Sequence, residues 1–253
     1  MACATAHAAE QDNLSSDRPD LLTSPDVVGK GRFQIESGPF VQRDDAGDQR
    51  TRTVSTPTLL RLGVTDTLEL RLESDARVRT RDTNLSTQAT VHENGFADTA
   101  VGVKWQMRTA DPEQGMPGIG WVLQAELPSG SRAFRGRGLR PAIISALQWE
   151  LRGDAALSLN SGVKYDNDDA QGRFVSGLLG AGLSKGFTDR MSVAVEIVAE
   201  DIRRSKYGGT VVIADIAVMY RLTPSLQLDA LVGRGLTSDA PKYVFTAGVS
   251  ARF

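Results

Sequence analysis

Chemistry that depends on a few side-chain types has little to work with in this chain. Its 253 residues include one cysteine, Cys3, and two histidines, His7 and His92. That excludes a disulfide framework and cysteine-based zinc sites, and leaves too few members for a His-rich metal or acid–base centre. No G-x-S-x-G segment offers a serine nucleophile. Gly177-Leu178-Leu179-Gly180-Ala181-Gly182 is glycine-rich, but it reads as a small-residue strand, not as a phosphate loop opening a helix. Asp166-Asn167-Asp168-Asp169 begins like a calcium loop. Gln171 then stands where the turn needs glycine, and no glutamate follows at the twelfth position, so a solvated acidic loop is the expectation. No catalytic, cofactor-binding or metal-binding residue is assigned.

Charge placed at alternate positions is what the sequence does supply. Arg61, Glu69, Arg71, Lys104, Gln124, Glu126, Lys164, Glu196, Asp215, Asp229 and Arg252 each sit between apolar neighbours, and Asp98 and Asn160 follow one. Both signs occur in comparable numbers, so a surface carrying them can pair its own charges. The net charge of −2 lacks the basic footprint of a nucleic-acid binder, and no nucleic-acid partner is expected.

The elements that position these residues follow from the period. From about residue 27 the apolar residues recur every second position and almost nowhere at 3.6. Tyr243, Phe245, Ala247, Val249, Ala251 and Phe253 are one such series, and Leu68, Leu70 and Leu72 another. The pattern predicts strands near 27–37, 52–64, 67–74, 97–107, 119–128, 140–151, 154–166, 173–185, 191–200, 210–222, 226–236 and 242–253. No run approaches the ~20 apolar residues of a spanning helix, but each strand is near the ~9–11 residues of a tilted membrane strand.

Four features favour an apolar face turned outward to lipid over one turned inward as a soluble core. That face carries no Asp, Glu, Lys or Arg away from strand ends, as in Val101, Val103, Trp105 or Ile216, Val218, Tyr220. A soluble core would share this property, so connection lengths are the second feature. Short turns at Thr65-Asp66, Arg152-Gly153-Asp154, Phe187 to Arg190 and Thr223-Pro224-Ser225 alternate with longer segments, among them Gly38 to Arg50 and Asp75 to Phe96. That is the pattern of periplasmic turns and extracellular loops, with Arg108 to Gly118 the exception. Third, Trp105, Trp121 and Trp149 fall at the periplasmic strand ends with Tyr220 and Phe253, while Tyr165 and Tyr243 fall near the outer ends. Two aromatic girdles against outer-membrane lipids are expected from this. Fourth, Phe253 ends an alternating strand, the form of signal read by the barrel-assembly machinery. The expected fold is all-β: a closed antiparallel transmembrane β-barrel of about twelve strands, of the bacterial outer-membrane type.

The expected organisation is a residual signal-peptide end or disordered stretch at 1–9, an extended periplasmic or lumenal segment at 10–26, and a barrel at 27–253. Ala6-His7-Ala8 has the A-x-A form of a cleavage site.

The chain resembles the outer-membrane barrel proteins labelled as transporters of the meta-pathway of phenol degradation. The carriers are Arg18-Pro19-Asp20, Gln34-Ile35-Glu36, Arg61-Leu62-Gly63-Val64-Thr65-Asp66, Gly95-Phe96-Ala97-Asp98, Leu127-Pro128-Ser129-Gly130, Asn160-Ser161-Gly162 and Gly248-Val249-Ser250-Ala251-Arg252-Phe253. The resemblance implies uptake of a small aromatic or other apolar solute and leaves its identity open. The charged face then either sets which solutes pass or is a salt-bridged interior that stiffens a mostly closed barrel, with Arg and Lys side chains or the 10–26 segment as the obstruction. A lipid-acting outer-membrane enzyme is the alternative. It would depend on His92, in the expected 75–96 loop.

Overall fold

The computed structural model describes residues 13–19, 21–168, 172–203 and 210–253. Residues 1–9, Asp20 of the Arg18-Pro19-Asp20 motif and the end of the acidic 166–171 stretch lie outside the described residues. Twelve strands close into a barrel. They are β1 (Phe33–Ser37), β4 (Thr58–Gly63), β5 (Leu68–Ser74), β8 (Thr99–Arg108), β9 (Gly118–Leu127), β10 (Arg140–Leu151), β11 (Ala155–Asp168), β12 (Gly172–Gly186), β13 (Met191–Arg203), β14 (Val211–Thr223), β15 (Leu226–Gly235) and β16 (Tyr243–Arg252). All pairings are antiparallel, and β1 closes the ring against β16 with Gln34 opposite Arg252 and Ser37 opposite Val249. Closure removes every free edge within the ring, which is the condition for strands to survive in lipid. Among the described residues no helix is long and apolar enough to cross a membrane.

The burial pattern is inverted relative to a soluble protein. On β4 and β5, Leu62 and Leu70 are each 45% exposed, while Arg61 and Glu69 between them are fully buried. The same alternation places Trp105, Leu123, Val195, Ile216, Val232 and Phe245 on the outer surface. Trp105 lies directly opposite Trp121 on the neighbouring strand, and Trp149 opposite Leu157. Phe33 stacks on Phe253 beside the seam, ring centroids 6.3 Å apart.

Two parts of the expected layout are corrected. Residues 38–50 and 75–96 are strands and not open loops. After Gly38-Pro39 the chain of β1 continues as β2 (Phe40–Ala46) and returns as β3 (Gln49–Ser55) into β4; beyond β5 it rises as β6 (Arg77–Asn84) and descends as β7 (Thr90–Phe96) into β8. These four form a sheet in the order β16-β2-β3-β6-β7 above the ring. Alternation in this region is between charged and small polar residues, so an apolar period of 2 does not report it. His92, expected in a loop, therefore stands exposed on β7, opposite Arg81. The first strand also begins at Phe33 and not at 27: Gly29 and Gly31 take positive φ (84° and 73°), and the chain turns there before entering the wall.

Candidate functional site

The site is the barrel interior, and residues 13–19 and 21–28 occupy it. This segment makes no strand. It enters beside the 223–225 turn, where the Leu14 N–H donates to the Pro224 carbonyl (2.8 Å), and it leaves at Val28, whose N–H donates to Glu69 Oε2 (2.9 Å). Between these points the wall holds it with side chains. Glu36 Oε2 accepts from the Ser16 hydroxyl (2.9 Å) and the Asp17 N–H (3.0 Å). Glu196 accepts from the Leu21 N–H (2.8 Å), and Asn160 both accepts from the Thr23 N–H (2.8 Å) and donates to its carbonyl (3.1 Å). Arg252 donates to the Asn13 carbonyl (3.0 Å).

Arg61 is the centre of the ion network. Its Nε and Nη2 donate to the two oxygens of Glu69 (2.8 and 3.0 Å), its Nη1 to Glu36 (2.9 Å), and its remaining hydrogens reach the carbonyls of Ser15 and Asp26. The guanidinium fork is thus saturated, as a buried arginine requires. Asp17 brings an anion from the segment into this cluster, accepting from Lys104 (2.8 Å) and Arg71 (2.7 Å). Arg18 reaches the opposite wall, donating to Asp229 (3.1 Å) and Thr246 (2.8 Å).

Small residues in the wall make the fit. A Cβ on Gly120 would lie 2.7 Å from the Cα of Pro25, and one on Gly248 would lie 2.3 Å from the Arg18 guanidinium. The Pro25 backbone runs where the first side chain would stand, and the Arg18 side chain lies where the second would.

A second network lies toward the other end of the barrel, beside the 128–139 loop. Arg140 donates to Asp98 (2.8 Å) and to Glu126, which also accepts from Lys164 (2.8 Å). Asp98 in turn accepts from the N–H groups of Gly130 and Gly136 (2.7 Å each), tying the 128–139 loop to the wall. A cavity of about 530 Å³ lies between the two networks. Asp17, Arg18, Leu21 and Leu22 of the segment line it, with Phe40, Leu59, Gln124, Ile144 and Lys164 from the wall.

The charged residues picked out in the sequence therefore divide by place. Arg61, Glu69, Arg71 and Lys104 converge on the segment with Asp17; Asp98, Glu126 and Lys164 gather around Arg140; Asn160, Glu196, Asp229 and Arg252 each hold a different point of the segment. Asp215 stands apart. It is buried, and neither carboxylate oxygen has a hydrogen-bond partner among the described residues. It lies next to an apolar patch of the inner wall, Ala194, Ile213, Ala217, Leu231 and Val244, against which Leu21 and Phe40 pack. The interior is thus polar on one side and apolar on the other. Sequence reasoning missed Gln34, Glu36 and Arg140 as site residues. The alternation of Gln34 and Glu36 with Phe33 and Ile35 was the available signal.

No protein of curated function matches the chain. Among solved structures, an outer membrane channel from Pseudomonas putida F1 is similar, with 14% identity and a TM-score of 0.63 over 95% of this chain and 100% of that one. The transport unit of the autotransporter AIDA-I from Escherichia coli gives 10% identity and a TM-score of 0.57 over 98% and 97% of the two chains. The NanC porin gives 11% and 0.54 over 87% and 98%. At such identities the likeness is one of fold, a closed barrel of the outer-membrane type. The family described as "Putative MetA-pathway of phenol degradation" matches residues 16–253, nearly the whole chain, and the protein belongs to that family.

Proposed function

We propose that this protein is a channel of the bacterial outer membrane that admits small solutes, with residues 13–26 as a displaceable plug. The observation that carries this reading is how the segment is held. It pairs with no strand and is retained by ion pairs and single hydrogen bonds to wall side chains, contacts that water and solute can exchange for others. When the segment leaves, Arg61, Glu69 and Lys104 become wet, so their charge carries no burial penalty in the open state. The cavity of about 530 Å³ is the size of a small-molecule site. Leu21, Leu22, Phe40 and Ile144 suit an apolar or aromatic body there, and Lys164 and Gln124 suit a polar substituent. The description of the family, which names phenol degradation, agrees with such a solute class. Outward Trp105, Trp121, Trp149, Tyr220 and Phe253 would form the periplasmic girdle, Tyr165 and Tyr243 the outer one. Phe253 would serve the barrel-assembly machinery during insertion.

Planar-bilayer conductance and liposome swelling with ions, a pentose, phenol and benzoate test the reading. The full chain is expected to conduct weakly and intermittently, and a variant lacking residues 13–26 to conduct continuously and several-fold more. Silence from both would leave a non-conducting structural barrel as the better account.

A further inference from the structure

All six arginines of the sheet above the ring share one face. The register lays them in rows across the strands. Tyr243 of β16 is opposite Arg43, Arg43 opposite Arg52, Arg52 opposite Arg81, and Arg81 opposite His92. Two residues away on the same face, Arg79 lies between Val54 and Asn94, and Arg77 opposite Phe96; two residues the other way, Arg50 lies opposite Asp45. The alternation identifies which side this is. On β16, Val244 and Thr246 are buried in the barrel, whereas Tyr243 and Phe245 are 46% and 49% exposed on its outer wall. Arg43 pairs with Tyr243 and Val41 with Phe245, so the arginine face continues the outer, lipid-facing surface upward from the level of Tyr243.

Charges are sorted between the two sides of this sheet. Asp44, Asp82 and Glu93 are on the inner side; Asp45 is the one carboxylate of these four strands on the outer side. Asp45 is shared by Arg43 (2.9 Å), Arg50 (3.1 Å) and Lys242 (3.2 Å). The hydrogen bond from Arg43 is the main reason its carboxyl is held well below the ordinary range. Arg52, Arg77, Arg79 and Arg81 make no ion pair and no side-chain hydrogen bond among the described residues, and all four are exposed. Like charges directly across an antiparallel pair stand about 5 Å apart and destabilise the sheet. An outside anion relieves that repulsion, and arginine forks match phosphate oxygens two at a time.

We infer that this face binds the phosphate-bearing headgroup of an anionic outer-leaflet lipid. The position selects a lipid over a free anion: the rows begin at an outward tyrosine, and Phe96, 62% exposed, stands opposite Arg77 to meet acyl or glycan carbons beside a bound phosphate. The inference does not rest on solute conduction.

The full chain in dodecyl maltoside, titrated with diphosphoryl lipid A and followed by native mass spectrometry, tests it. Wild-type affinity is expected to exceed that of R52S/R79S/R81S by about tenfold or more, while R152S/R190S at the periplasmic turns binds like wild type. Equal affinity in the triple variant overturns the inference. Wild-type protein alone gives a second measurement that does not depend on a variant folding. Dephosphorylated lipid A should bind about tenfold more weakly, and raising salt from 50 to 500 mM should weaken diphosphoryl lipid A by a similar factor. Equal binding of the dephosphorylated lipid overturns the inference, as does inorganic pyrophosphate or polygalacturonate binding as tightly as diphosphoryl lipid A.

Discussion

Two sets of arginines in this barrel are built to opposite rules. Inside, the Arg61 fork has as many carboxylate and carbonyl acceptors as it can use, from Glu69, Glu36 and the backbone of the segment, and Arg71 pairs with Asp17 and Glu69. Outside, Arg52, Arg79 and Arg81 face other cations or neutral groups across the sheet. A buried guanidinium left without anions costs several kcal/mol, so an interior arginine has to meet its carboxylates within the barrel. An exposed one is solvated at little cost and is left over for an external partner. The contrast separates charge that holds the protein's own chain from charge that offers itself to something else.

Arg61→Ala gives the largest expected effect. It takes the cation from Glu36 and leaves Glu69 with Arg71 alone in a closed interior, and should cost about 3–5 kcal/mol, read from the urea midpoint of the barrel folded in vesicles. The same variant should lengthen channel openings, because the carbonyls of Ser15 and Asp26 each lose one of two donors and keep only Gln34 and Lys104 respectively. A cost under about 1 kcal/mol would place Arg61 with the solvated exterior set and break the comparison.

Asp17→Asn comes next. The segment keeps its length and its backbone hydrogen bonds, but Lys104 and Arg71 lose the anion they share. Conductance should rise several-fold. Stability should fall by about 1–3 kcal/mol, less than for Arg61, since the asparagine carbonyl still accepts. Unchanged conductance would mean that the segment is a permanent part of the wall. Gly120→Ala tests the same point without altering charge. Its new Cβ meets Pro25 backbone atoms at 2.7 and 2.8 Å, so the segment must shift. A destabilisation of about 1–2 kcal/mol with raised conductance is expected.

How far the sequence disclosed this arrangement depends on what kind of alternation it carried. Leu68, Leu70 and Leu72 against Glu69 and Arg71 signalled a strand with two unlike faces, and ten of the twelve barrel strands followed from such series to within three residues. The expected 27–37 and 52–64 each start six residues before β1 (Phe33–Ser37) and β4 (Thr58–Gly63), the second running across the end of β3. Arg77, Arg79 and Arg81 alternate just as strictly, with Val78 and Thr80 between them. A reading that looks for apolar residues at every second position passes over them, which is why β6 and β7 were taken for a loop. The charged interior was legible as a face, but its division into two networks was not. That division is set by Asp17 and Arg18, which lie in a segment with no periodicity, and by Arg140 at a strand end. Nothing local in Asp215 distinguishes it from Glu196, although one holds the Leu21 N–H and the other has no partner among the described residues.

Asp45→Asn should produce the smallest change, and its sign is what matters. Asp45 is half-buried on the outer face and shared by three cations, so it is either a clip for the β2–β3 hairpin or a resident competitor for an incoming phosphate. As a clip, its removal would lower the melting temperature. Because its folded pKa is depressed, the stability it contributes would be present above about pH 4, the unfolded carboxylate value, and be lost only as pH falls below that range. As a competitor, its removal would leave the melting temperature at pH 7 unchanged and tighten diphosphoryl lipid A, by about two- to threefold, since Arg43 and Arg50 join the arginines already available. The second outcome is expected. Exposed pairs hold hairpins weakly, and a six-arginine face with a single carboxylate gains more from an added phosphate than it loses with that carboxylate. A lower melting temperature with unchanged lipid affinity would assign Asp45 and its partners to the set that serves the protein's own chain.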